Sequence, residues 1–119
     1  MKKTLVIGAS PNRNRYAHKA VIMLHNIGVD VVPLGIKKGK IGGIPIQIEK
    51  KPVLDIHTVA LYINPVKQLE YYDYIINLKP KRLIFNPGTE NSELQKLAIK
   101  NGIDAINSCV LILINSNRF

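Results

Sequence analysis

The sequence predicts an α/β fold of three layers, in which helices cover both faces of a parallel sheet of about five strands. Short apolar runs alternate with longer stretches of helical periodicity along the 119 residues. Such alternation is typical of βαβ units, whose strands pair in parallel through right-handed crossovers. The first apolar run also ends at a glycine, followed by a small polar turn and a helical pattern. A strand, a tight turn and a helix are the usual beginning of such a unit.

The first βαβ unit is the clearest in the sequence. Strands are expected at about 4–8 and 30–34, with a helix at about 15–27 between them. The apolar residues of that helix recur at the spacing of one buried face. They are Ala17, Ala20, Val21, Leu24 and Ile27. Gly28 ends the helix, as a glycine just beyond a helix terminus commonly does.

The later elements are shorter. A loop rich in glycine and lysine covers 35–43, and a stretch with two prolines after it is either irregular or a short edge strand. Further strands are expected at 58–62, 82–85 and 103–106, and helices at about 66–78 and from Asn91 or Ser92 to Lys100. The inward residues of the first of these helices are expected to be Val66, Leu69, Tyr72 and Ile76. The apolar tail at 110–114 is either strand or helix.

Five such strands favour the Rossmann-like order 3-2-1-4-5, with 58–62 counted as the third strand. In that order the sheet reverses between strands one and four, and a ligand crevice lies there at the carboxyl ends of the strands. Four loops leave the sheet at this edge. They cover residues 8–15, 35–43, 63–65 and 86–91.

The net charge of +9 indicates anionic partners. Basic residues are concentrated in or just after the loops that follow the first two strands: Arg13, Arg15, Lys19, Lys37, Lys38 and Lys40. Because these strands are neighbours in the predicted order, the cations should lie together, where they suit a small ligand with several phosphates. Other cations fall at the opposite edge and are expected to serve solubility: Lys2, Lys3, Lys79, Lys81 and Arg82.

The turn at Gly8 differs from the NAD fingerprint. That motif needs three glycines, G-x-G-x-x-G, and only the first is present in Gly8-Ala-Ser-Pro-Asn-Arg13. NAD also calls for an acidic residue after the second strand, where residues 34–38 contain two lysines and no acid. Lysines there suit an adenosine with an extra ribose phosphate. NADP carries this phosphate at the 2′ position and coenzyme A at the 3′ position, and the missing glycines weigh against NADP.

Several functional classes find little support. One cysteine, Cys109, excludes an internal disulfide, is expected in the core and fits a cytoplasmic location. No signal peptide is evident, and no apolar run reaches the roughly 18 residues of a membrane span. The histidines are too scattered to share a metal, and no nucleophile–base pair is visible, so we assign no catalytic residue and no metal ligand. A nucleic-acid-binding protein is a further class, but no basic strand interleaved with aromatics and no recognition helix is found.

Six segments, in their order and spacing, resemble the small stand-alone CoA-binding proteins. The fold of that family is similar to the CoA-binding domain of the succinyl-CoA synthetase alpha subunit. The matching segments span nearly the whole chain: 6–10, 15–21, 32–37, 61–65, 86–91 and 108–109. The catalytic histidine of the synthetase belongs to a second domain outside this sequence, so synthetase activity is not carried over.

The resemblance implies one cofactor-binding site built from the four loops. Backbone N–H groups of Gly8, Ala9 and Ser10 would hold the pyrophosphate. Either Arg13 or Arg15 would lie nearby. Lys37 would meet the ribose 3′-phosphate. The adenine would be walled by Ile63, Asn64 and Pro65, and the pantetheine arm would be approached by Asn86, Pro87 and Gly88.

A single Rossmann-like domain over residues 1–119 that binds coenzyme A or acyl-CoA, without evident catalysis of its own, is therefore expected. The alternative is a minimal NADP-dependent or acyl-CoA-using enzyme whose site a partner completes. The expected partner is a small-molecule CoA species rather than nucleic acid or a membrane. The protein itself is expected to be a monomer or a weak homodimer.

Overall fold

A computed structural model describes residues 2–119. Its strands are β1 (Thr4–Ala9), β2 (Val31–Gly35), β3 (Lys40–Ile41), β4 (Ile44–Pro45), β5 (Thr58–Leu61), β6 (Arg82–Phe85) and β7 (Asp104–Asn107). Its helices are α1 (Tyr16–Asn26), α2 (Pro65–Gln68), α3 (Tyr72–Leu78), α4 (Ser92–Lys100) and α5 (Val110–Asn115). All strands except β3 and β4 form one parallel sheet, and those two pair with each other as a small antiparallel hairpin. The predicted α/β class is confirmed.

The strands of the main sheet follow the order β2-β1-β5-β6-β7. Outside β2, Gln47 forms a parallel bridge with Leu34, in which the Gln47 amide donates to the Pro33 carbonyl at 2.9 Å. When this bridge is counted as the third strand, the Rossmann-like order 3-2-1-4-5 is confirmed, with β7 as a sixth strand.

The segment that we had numbered as the third strand lies elsewhere in this order. Residues 58–61 form β5, which pairs with β1 on the side away from β2. The reason is burial: every residue of β5 is buried, which requires a central position covered on both faces. The stretch around Gln47 follows a proline and makes a single bridge, which suits the edge of the sheet.

Two apolar layers enclose the sheet, because alternate residues of each strand point to opposite faces. On one face Val6 packs in a cluster that includes Leu24 of α1 and Val110 of α5. On the other face Leu5 packs in a cluster that includes residues of α3 and α4, such as Leu94. The three-layer architecture is therefore present, with α1 and α5 on one side and α3 and α4 on the other.

The middle helix differs from the prediction of one helix over 66–78. A 3₁₀ turn at Leu69–Tyr71 separates α2 from α3. A 3₁₀ turn has three residues per turn and changes the phase of the buried face. As a result Val66 and Leu69, predicted inward, are 77% and 58% exposed, whereas Gln68 and Ile75 are completely buried.

Two smaller expectations also need correction. Ile27 was placed on the buried face of α1, but the helix ends at Asn26 and Ile27 is 51% exposed. Arg82, expected to be a solubility charge, is half-buried: its Nε donates to Thr58 Oγ1 at 3.0 Å, and its guanidinium lies 4.5 Å from the centre of the Phe119 ring. The apolar tail, left open between strand and helix, is the helix α5.

Candidate functional site

The carboxyl ends of the parallel strands place four loops at one edge of the molecule, as predicted. The position of the reversal differs from the prediction, because β2 lies on one side of β1 and β5, rather than the strand at 82–85, lies on the other. The crevice therefore lies between the loop after β1 and the loop after β5, rather than beside the strand at 82–85. The pairing of β1 with β5 places the Gly8 turn next to Ile63.

Gly8 is the point of closest approach between these two loops. Its φ is +101°, a conformation that residues with a side chain rarely adopt. A Cβ at this position would lie 2.9 Å from Ile63 Cγ2 and 3.1 Å from the carbonyl carbon and oxygen of Tyr62. Glycine is therefore required both by the backbone angle and by the space available. Ala9, the next residue, is buried.

The turn after Gly8 is held by its own side chains. Ser10 Oγ accepts from the Asn12 amide at 3.1 Å, and Asn12 Oδ1 accepts from the Asn14 amide at 3.0 Å. The Ser10 carbonyl lies 2.9 Å from His18 Nδ1. Because a carbonyl oxygen can only accept, this ring nitrogen carries the hydrogen. The buried His18 thus fixes the turn to α1, a role that sequence reasoning did not assign.

The N-terminus of α1 opens at the same edge without a side-chain cap. Arg15 occupies the cap position but makes no capping hydrogen bond, and the first turn of the helix contains no acidic residue. The first amides of a helix have no partner within it, and they carry a partial positive charge. An anion at this point would be stabilised by both effects.

Cations surround this helix start without carboxylate partners. Within residues 2–119 the one ion pair joins Lys50 to Glu70 at 3.7 Å, so none of the six predicted crevice cations is paired with a described acid. Of these, Arg13, Lys19 and Lys40 line a single cavity of about 670 Å³. Exposed side chains in this cavity are free to meet an anionic ligand.

The lysine loop after β2 contacts the turn after β1. A Cβ at Gly39 would lie 2.9 Å from Pro11 Cβ, so the two backbones approach closely there. This confirms that the loops are neighbours. Lys37 and Lys38 are exposed in this loop but do not line the cavity that contains Arg13.

The residues predicted to wall the adenine begin a helix. Asn64 caps α2, since its Oδ1 accepts from the Lys67 amide at 3.0 Å, and Pro65 stands at the first helical position. Both are exposed, whereas Ile63 is half-buried against Gly8. The structure brings Ile63 to the Gly8 turn and leaves the surfaces of Asn64 and Pro65 open.

The buried side chain of Asn86 forms hydrogen bonds inside the protein. Its Nδ2 donates to the Leu61 carbonyl at 3.0 Å, and its Oδ1 accepts from the Val110 amide at 2.9 Å. It therefore ties the ends of β5 and β6 to the start of α5. Pro87 and Gly88 beside it are exposed, and the Gly88 amide donates to the Glu90 carboxylate at 2.9 Å.

A second cavity of about 290 Å³ lies beside these residues. Its walls are Tyr16, Tyr62, Asn86, Pro87, Cys109 and Leu111. The buried Tyr62 hydroxyl has no hydrogen-bond partner within residues 2–119. Burial raises the pKa of this hydroxyl, and the neighbouring Cys109 raises it further.

Cys109, which we expected in the core, is half-buried at this wall. Sequence reasoning missed Tyr62, which was predicted as the last residue of the strand at 58–62 and lies in the matching segment 61–65.

In residues 2–119 no group of three or more His, Cys, Asp or Glu side chains could hold a metal ion. In the same residues no helix has the length and apolar character needed to cross a membrane.

The chain is similar to a known family and to several solved structures. A family model described as a CoA binding domain matches residues 2–115. A crystal structure of an uncharacterised protein is 47% identical, with a TM-score of 0.98, and the match covers 100% of this chain and 98% of the other. A hypothetical protein from Pyrococcus horikoshii OT3 is 28% identical, with a TM-score of 0.87, over 97% of this chain and 82% of the other.

More distant structures share the fold alone. A conserved hypothetical protein from Pyrococcus furiosus is 22% identical with a TM-score of 0.82, covering 94% of this chain and 98% of its own. A comparison with curated proteins gives no match. Since the family model spans nearly all of the described residues, this chain belongs to the family of CoA-binding domains.

Proposed function

We propose that this protein binds coenzyme A or an acyl-CoA at the carboxyl edge of its sheet, without evident catalysis of its own. The observation that carries the proposal is the uncapped N-terminus of α1, which follows the Gly8 turn and lies close to Arg13, Arg15 and Lys19, cations that have no acidic partner within residues 2–119. Family membership supports the identity of the ligand.

Each part of the ligand has a proposed position. The pyrophosphate lies against the backbone of Gly8, Ala9 and Ser10, with Arg13 or Arg15 beside it. The 3′-phosphate meets Lys37 in the neighbouring lysine loop.

The rest of the ligand follows the two loops on the other side of the crevice. The adenine lies against 63–65. The pantetheine arm passes the exposed surface of Pro87 and Gly88, because the Asn86 side chain is already bonded within the protein.

An acyl-CoA-using enzyme is the second candidate, and the cavity at Tyr62 and Cys109 is the observation that favours it. This cavity presents a thiol and an unpartnered hydroxyl close to the proposed pantetheine path. Incubation with acetyl-CoA separates the candidates. Release of more than one equivalent of free CoA per protein, dependent on Cys109 and with the acetyl group passed on to water as acetate, would establish the enzyme, and an unchanged thioester supports the binding module.

The proposed function is tested by thermal unfolding with CoA, dephospho-CoA, NADP and a short oligonucleotide, each at the same excess. CoA at 100 times its dissociation constant should add about 2.7 kcal/mol of stability. Dephospho-CoA should bind more weakly by about 1.5–3 kcal/mol, because it loses a charge-assisted contact at the 3′-phosphate. Equal affinity for CoA and dephospho-CoA would contradict the proposed role of the lysine loop. Absence of any stabilisation by CoA would overturn the proposed function.

A further inference from the structure

We infer that Gln68 is a positioning residue that sets the spacing between the two loops on the β5–β6 side of the crevice, an inference that rests on the proposed CoA site. Gln68 is completely buried. Its Nε2 donates to the Ile63 carbonyl and to the Thr89 carbonyl, both at 2.8 Å. Its Oε1 accepts from Asn91 Nδ2 at 2.8 Å. Both donors of the amide and its acceptor are thus engaged.

The two carbonyls belong to different parts of the proposed site. Ile63 is in the loop assigned to the adenine, and Thr89 is in the turn assigned to the pantetheine arm. One side chain therefore joins the two loops through its two N–H groups. No other side chain in residues 2–119 hydrogen-bonds to both of these carbonyls.

Rigid elements stand on both sides of this contact. Gln68 is the last residue of α2, whose first turn Asn64 caps. Asn91 caps α4, since its Oδ1 accepts from the Leu94 amide at 3.2 Å, and its Nδ2 also donates to the Tyr72 hydroxyl at 2.9 Å. The spacing of the loops is consequently fixed from the end of α2 and the start of α4, rather than by the loops themselves.

This arrangement matters most to a ligand that contacts both loops. CoA would bridge 63–65 and 87–88, so its affinity depends on their separation. Adenosine 3′,5′-bisphosphate has the adenine and phosphates but no pantetheine arm, so it contacts only the first of these loops. Loss of Gln68 should therefore weaken CoA and spare the bisphosphate, a distinction that general loss of stability would not produce.

The test compares Gln68→Met with wild type by calorimetry. Methionine has similar length but no donor, so both carbonyls lose their partner. CoA affinity should fall by at least about tenfold, or roughly 1.4 kcal/mol, while bisphosphate affinity changes by less than about twofold. Ile103→Ala is the matched control, because this buried residue precedes β7 at the far edge of the sheet. It should lower the melting temperature and leave both affinities unchanged.

Each result decides between the proposals. Equal losses for both ligands, or unchanged CoA affinity, would overturn the role of Gln68 while leaving the CoA site in place. Wild-type protein that fails to bind CoA would overturn the proposed function itself.

If Gln68→Met does not fold, Gln68→Glu serves instead. Its carboxylate has no donor, but its protonated form has one, so CoA affinity relative to wild type should recover as pH falls. A ratio independent of pH would contradict the inference.

Discussion

At the scale of single residues, Gly8 links the fold to the site. Its backbone has a φ of +101°, and the loop after β5 lies against it. In the proposed site, the same absence of a side chain would allow a phosphate to approach the backbone of the turn. A substitution here should therefore affect stability and binding together.

We predict that Gly8→Val lowers the free energy of unfolding by at least about 1–3 kcal/mol, the usual strain of a side chain at such an angle, and abolishes CoA binding. Urea unfolding and calorimetry measure the two effects. The matched control is Gly102→Ala. Gly102 also has a positive φ, +77°, but a Cβ there would meet no atom within 4 Å, and it lies beyond the end of α4. The control should lose some stability and keep wild-type affinity. Wild-type CoA affinity in Gly8→Val would mean that the ligand does not bind at the turn after β1.

At the scale of elements, the lysine loop between β2 and β3 is the feature that distinguishes specific binding from general attraction of anions. Lys37 and Lys38 leave the sheet at its carboxyl edge, after β2. Lys79 and Lys81 precede β6, at the opposite edge. The chain thus offers two lysine pairs of equal charge at opposite ends of the parallel strands.

We predict that Lys37→Ala with Lys38→Ala weakens CoA binding by at least about tenfold, or roughly 1.4 kcal/mol. Lys79→Ala with Lys81→Ala, the charge-matched control, should change the affinity by less than about twofold. Exposed charges are screened over about 8 Å at physiological ionic strength, so a distant pair contributes little. Titration calorimetry at that salt concentration gives both values. Similar losses in the two variants would mean that bulk charge, rather than a site at the carboxyl edge, attracts the ligand.

At the scale of the whole molecule, the net charge of +9 is scarcely compensated. The described chain has one ion pair, between Lys50 and Glu70, and both of these side chains are exposed. An excess of like charge destabilises a compact state through self-repulsion. Salt should relieve this repulsion, because the Debye length falls from about 30 Å at 0.01 M to about 8 Å at 0.15 M.

We predict that the free energy of unfolding in the absence of ligand rises between these two ionic strengths. Urea unfolding in sodium chloride measures it. Lys79→Gln with Lys81→Gln removes two positive charges far from the crevice and should reduce the response to salt. A fall in stability with added salt would show instead that local attractions outweigh the repulsion.

CoA binding should respond in the opposite direction to the same change in salt, because screening weakens the attraction between the crevice cations and the phosphates. The two measurements together separate the contribution of charge to folding from its contribution to the ligand.

The sequence by itself determined the α/β class and the family, and it predicted where the proposed site begins. The apolar run before Gly8 and the helical spacing from Ala17 to Leu24 are local patterns, and each depends only on neighbours along the chain. The family resemblance followed from the order of six short segments. The sequence also shows that basic residues follow the first two strands. Because those strands were predicted to be neighbours, it predicted that these cations lie at one edge of the sheet.

Only the tertiary structure decided which segments are neighbours across the sheet and which polar groups are buried. Residues 58–61 were predicted as a strand, but their pairing with β1 depends on contacts between segments distant in sequence. The exposure of Val66 and the burial of Gln68 depend on a 3₁₀ turn that apolar periodicity does not reveal. The engagement of Asn86 with Leu61 and Val110 likewise joins three separate elements. Local patterns specify elements, whereas these features come from long-range packing and hydrogen bonding, which a single sequence does not display.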